Sequence, residues 1–152
     1  MIDTINQIVQ NKLQSLVAFL QQINKAFDTI AEEIDCSNLK TAMIAVAVES
    51  KQYAKEIHDQ LQQADVTIDE NDTDQLWATI EHSIQEQAGN AKGGEITALC
   101  NNCENYFTKL YQAVLQENLP LKNLKAIITY QLYAIECAFM KIRLLNTLRF
   151  NN

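Results

Sequence analysis

The chain has 152 residues, 47% of them hydrophobic and 20% charged, with a net charge of −7. That length suits one folded domain over 1–152, and the composition excludes disorder. The acidic balance also argues against a general nucleic-acid or anionic-membrane surface, which needs clustered Lys and Arg.

Three glycines and one proline are the only strong breakers, and Gly89, Gly93 and Gly94 fall close together. Long segments therefore run uninterrupted, which points to an all-α chain. No apolar run reaches the ~18 residues a membrane helix needs. The opening Met1-Ile2-Asp3-Thr4 lacks the basic segment of a secretory signal. Four scattered cysteines, Cys36, Cys100, Cys103 and Cys137, read as reduced thiols in a cytoplasm rather than as a disulfide frame.

The first helix is predicted over about 4–34. Leu13, Leu16, Leu20, Ile23, Phe27, Ile30 and Ile34 alternate spacings of three and four, with Ile5 and Val9 upstream and no charge in the stripe. Asp35-Cys36-Ser37-Asn38 is a short connection with N-cap candidates, so the next helix lies antiparallel to the first. That second helix, about 39–63, places Leu39, Met43, Val46, Tyr53, Ile57 and Leu61 on one face, interrupted at its middle by Glu49 and Ser50.

Residues 64–74 hold Asp65, Asp69, Glu70, Asp72 and Asp74 without a base. They lack the residue order of a calcium loop and read as a solvated acidic segment. Asp72 and Gln75 form a capping-box pattern opening a short helix with Leu76, Trp77, Ile80 and Ile84 on its apolar side, ended by Gly89 to Gly94. Packing of Trp77 on the bundle is the plain reading of that side, and partner docking the sharper one.

A third long helix, about 95–118, presents Ile96, Leu99, Cys103, Phe107, Leu110 and Val114, with Cys100, Glu104 and Tyr111 on a shared face. Pro120 stands where the first turn of a helix tolerates it. The fourth helix, to about 149, carries Leu121, Leu124, Ile128, Ile135, Ile142 and Leu145 on a 3.5-residue seam that Gln131 and Ala138 complete. Lys122, Lys125, Lys141, Arg143 and Arg149 gather in this last third as a solvated basic face. About thirty residues separate the second and third long helices. This places them parallel and gives a four-helix bundle with one long crossover carrying one short extra helix, the ferritin-like arrangement.

Short motifs agree with that fold. Leu39-Lys40 followed by Tyr53-Ala54-x-Glu56 resembles the second helix of a bacterial ferritin-like family of unknown function. Cys100-x-x-x-Glu104 with Lys109-x-Tyr111 is similar to its third helix, and Gln131-Leu132 with Ile142-Arg143 to its fourth. The resemblance implies a small cytoplasmic bundle without a settled activity. It departs at two places: Phe139 stands where the family has a histidine, and Thr29 where it has a glutamate.

A di-metal carboxylate centre asks for a glutamate from each of two helices and Glu-x-x-His from each of the others. This chain has no Glu-x-x-His: His58 follows Lys55 at that distance and His82 follows Thr79. Glu49 and Glu104 remain, expected to face each other from parallel helices in a polar layer with Tyr53, Tyr111 and Gln131. They make an incomplete site for iron or manganese the alternative reading. Cys100-x-x-Cys103 lies inside a helix without a preceding strand or a second cysteine pair, and so reads as buried, inert thiols rather than a redox or zinc motif. No phosphate loop or nucleophile elbow occurs. The leading expectation is a non-catalytic, cofactor-free bundle that works as a homodimer or through a protein partner, with no nucleic acid and no membrane.

Overall fold

The computed structural model describes residues 7–63, 93–119 and 121–150. They form four helices, α1 (Gln7–Glu32), α2 (Ser37–Gln63), α3 (Gly93–Leu115) and α4 (Lys122–Phe150), and no strand among the described residues. The short helix expected near Asp72, the acidic run before it, Trp77 and His82 lie outside the described residues. So does Pro120.

Each helix follows from its apolar spacing. All seven residues of the predicted α1 stripe are buried, and Val9 extends it. Leu16 to Leu20 are buried in succession, so the middle of α1 is covered over more than one flank. Its end tightens into three-residue hydrogen bonds, Glu33 N to Ile30 O at 3.0 Å and Ile34 N to Ala31 O at 3.2 Å. Cys36 O then accepts from Lys40 N at 2.9 Å and opens α2. The predicted α2 face is buried throughout.

α4 refines its predicted seam. Leu124, Ile128, Gln131, Ile135 and Ile142 are buried as expected, but Phe139 and Asn146 enter the core beside them, while Ala138 and Leu145 are only half-buried. A strict seven-residue repeat drifts about 20° per heptad on a straight helix, and the burial follows the helix.

Directions come from contacts between the helices. α1 packs on α2 and α3, and α4 packs on the same two; among the described residues no contact joins α1 to α4 or α2 to α3 at the level of neighbouring backbones. Asn24 Nδ2 donates to Ala47 O at 2.9 Å, as an α1–α2 hairpin requires. Lys12, near the start of α1, donates to Ala113 O at 3.2 Å and pairs with Glu117 at 2.7 Å, both at the end of α3. α1 is therefore antiparallel to α3 as well as to α2, and α2 runs parallel to α3 across the bundle diagonal. Residues 64–92 join the end of α2 to the start of α3, which lie at opposite ends of the bundle.

An aromatic group ties three helices at the centre. Phe19 of α1 meets Phe107 of α3 edge-on, with ring centroids 4.6 Å apart. Phe107 lies 5.5 Å from Phe139 of α4, which meets Phe27 of α1 at 5.9 Å. Such pairs add ~0.5–1.5 kcal/mol each beyond their buried area.

Candidate functional site

The polar layer expected in the core exists, with a different membership. Gln131, fully buried on α4, is its centre. Tyr111 OH donates to Gln131 Oε1 at 2.9 Å, while Gln131 Nε2 donates to Tyr53 O at 3.3 Å and to Glu56 Oε1 at 3.1 Å. One amide thus knits α2, α3 and α4, using both its N–H groups and its carbonyl. Burial pushes the phenol of Tyr53 up to about 12, with the nearby charges of Glu49, Tyr130 and Glu56 adding to it. Tyr111 is raised by burial too, then by Tyr53 and Glu56. Both phenols stay protonated, so the layer is a fixed hydrogen-bond network.

Glu49 and Glu104 lie outside that layer, on diagonal helices, each turned to a cation of α4. Arg143 Nη1 bonds Glu104 Oε1 in a half-buried ion pair. Burial raises the Glu49 carboxyl above the usual carboxylate range, and Lys141 draws it part of the way back. No hydrogen bond or ion pair joins the two glutamates. A metal ion at Glu104 would have to displace the guanidinium. Among the described residues, no three His, Cys, Asp or Glu side chains gather where they could hold a metal ion.

Phe139 and Thr29, where a histidine and a glutamate are expected, lie in quite different settings. Phe139 is buried against Phe27 and Phe107, an apolar setting. Thr29 is exposed, its hydroxyl donating to Lys25 O at 3.0 Å. Cys100 and Cys103 are buried free thiols. Burial pushes Cys100 up to about 12, lowered in part by Arg143 and raised further by Glu104; Cys103 is raised by burial and then by Cys100. The thiolate is the reactive form, and neither site favours it near neutral pH. His58 is half-buried on α2, and Ser50 carries a buried hydroxyl with no hydrogen-bond partner.

The outward face of α4 carries a second apolar stripe. Ala126, Tyr130, Tyr133, Cys137, Met140 and Leu144 follow one another at spacings of four, three, four, three and four, and every one is exposed. Leu148 continues the line, and the large side chains along it range from 50% exposed at Leu148 to 69% at Tyr133. At 100° per residue this stripe lies opposite the buried seam of Leu124, Ile128, Gln131, Ile135, Phe139 and Ile142. α4 is therefore apolar on two faces, one of them covered. The stripe repeats at the same three-and-four spacing as the core seam, so periodicity marks both faces of the helix as apolar.

Among the described residues no helix is long and apolar enough to cross a membrane. No protein-family model, curated protein or solved structure matches the chain.

Proposed function

We propose that this chain is a non-catalytic, ferritin-like helical bundle that works as a homodimer, paired through the outward face of α4. The fold reading is supported by the parallel run of α2 and α3, since one long crossover with antiparallel neighbours is that arrangement. The absence of any disulfide among the described cysteines suits the cytoplasm we assign it to.

The exposed stripe carries the proposal. A run of spacings three and four, about 27 Å from Tyr130 to Leu148 at 1.5 Å per residue, is the seam a second helix needs. Its side chains offer on the order of 600 Å² per copy, so two copies bury about 1,200 Å², the lower bound for a stable interface. Glu136 and Lys141 flank the stripe on opposite sides, five residues apart. In a parallel pair that spacing sets Glu136 of one copy beside Lys141 of the other. The same register puts the two exposed Cys137 thiols face to face.

Sedimentation across a concentration series tests this. The wild-type chain is expected to sediment as a dimer, and a Met140→Glu, Leu144→Glu variant as a monomer with its helix content intact. In the wild-type dimer, diamide takes two electrons and two protons from a pair of Cys137 thiols and leaves one disulfide per dimer, absent in Cys137→Ser. A wild-type chain that stays monomeric at high concentration overturns the proposal; a dimer without that bridge overturns the parallel register.

A further inference from the structure

α1 and α2 enclose a second surface, on the side of the bundle away from α4's outward face. A groove of about 810 Å³ runs between them, lined by Gln21, Lys25, Lys51, Gln52, Lys55 and His58 among others. Its volume is in the range of small-molecule sites. Among the described residues no Asp or Glu lines it, although the chain carries 19 acidic residues against 12 Lys and Arg.

The asymmetry arises from how α2 sorts its charges. Glu49 and Glu56 lie on the flank towards α4, where Glu49 feels Lys141 and Glu56 accepts from Gln131. Lys51, Lys55 and His58 lie on the flank towards α1, facing Lys25 across the groove. Among the described residues no ion pair reaches Lys25, Lys51 or Lys55. Asp28 and Asp59 are exposed one helical turn beyond Lys25 and Lys55 and do not line the groove. Lys51 and Lys55 are four apart on one helix, where like charges repel. Among the described residues no counter-charge offsets that repulsion.

His58 also lines the groove. Gln62 Nε2 and His58 Nε2 are 3.1 Å apart. The other ring nitrogen, Nδ1, is buried and has no hydrogen-bond partner among the described residues. Three ammonium groups and three glutamine amides line one concavity that carries no acidic side chain among the described residues.

We infer that this groove binds a small, multiply charged anion, the chemistry shared by oligophosphates and polycarboxylates. Lysines meet such ligands as point charges, and the amides supply neutral donors between them. The site needs nothing from the α4 pairing, since α1 lies diagonal to α4 and the groove stays open in a dimer built through that helix.

Calorimetric titration of the full chain with tripolyphosphate and, separately, with citrate tests it. Saturable binding of at least one is expected, weakening as salt is raised because the contact is Coulombic. Tighter binding of tripolyphosphate assigns the site to phosphate chemistry, and tighter binding of citrate to carboxylate chemistry. The double variant Lys51→Gln, Lys55→Gln keeps good helix formers at exposed positions, so its circular dichroism should match wild type while affinity falls about tenfold or more. Lys125→Gln, on exposed α4 surface, should leave affinity unchanged. No saturable binding of either anion, or equal loss in both variants, overturns the inference.

Discussion

α1 and α4 are both long, regular and rich in apolar residues, yet they complete their burial differently. α1 spends its apolar side chains inside the chain: its stripe is covered end to end, and at its middle five successive residues are out of water. α4 covers one seam and leaves an equally regular one facing solvent. The first helix therefore completes its burial within its own bundle, whereas the fourth keeps an apolar face that the described residues leave exposed. Hydrophobic periodicity alone does not separate these cases; the separation comes from which face the other three helices cover.

The sharpest way to test that contrast is at two adjacent positions of α4. Phe139 faces Phe27 and Phe107 in the core, while Met140 points outward. Phe139→Ala is expected to cost about 3–5 kcal/mol in denaturant unfolding. Met140→Ser, measured in a Leu144→Glu background so that dimer dissociation does not enter, should stay within about 0.5 kcal/mol of its parent. Similar losses at both positions would remove the distinction between the two faces.

A smaller effect is expected where α4 meets its neighbours through polar atoms. Tyr111→Phe leaves Gln131 Oε1 buried without its donor, and should cost about 1–2 kcal/mol in the same measurement. An unchanged midpoint would mean that the network orders the core without stabilising it.

The smallest expected effect lies at Glu49. Burial raises its carboxyl in the folded chain, so the folded state holds that proton to higher pH than the unfolded state does. The associated stability is complete below the ordinary carboxylate value of 4.5 and is lost as pH rises from there through the folded value. Glu49→Gln should flatten that decline. Lys141 and solvent screening at this partly exposed group keep the gain at pH 7 below about 0.5 kcal/mol. A steeper decline in the variant would reverse the assigned direction.

Much of the fold was open to reading from spacing. The α1 stripe and the α2 face are buried as their three-and-four pattern predicts, because each of those helices has one dominant apolar side. The short connection at 35–38 implied the first hairpin for steric reasons, and the long interval before the third helix implied the parallel pair. The polar features were less accessible. Glu49 and Glu104 sit at interrupted positions in their patterns, which marks them as unusual but does not identify their partners. Those partners, Lys141 and Arg143, belong to a helix far along the chain. Glu56 joins Gln131 rather than standing in solvent, a contact across 75 residues that no local pattern encodes. The lysines of the groove are unremarkable on their own helices and become a cluster only when α1 and α2 are set side by side.

The parallel placement of α2 and α3 has a kinetic consequence. Side-chain hydrogen bonds inside each hairpin close short stretches of chain, 23 residues for Asn24 with Ala47 and 20 for Tyr111 with Gln131. Those between hairpins span 75 residues for Gln131 with Glu56 and 105 for Lys12 with Glu117. Loop-closure entropy costs less for the local pairs, so the topology favours closing each helical hairpin before the two dock. The ring contacts of Phe19 with Phe107 and of Phe27 with Phe139 lie across that docking plane.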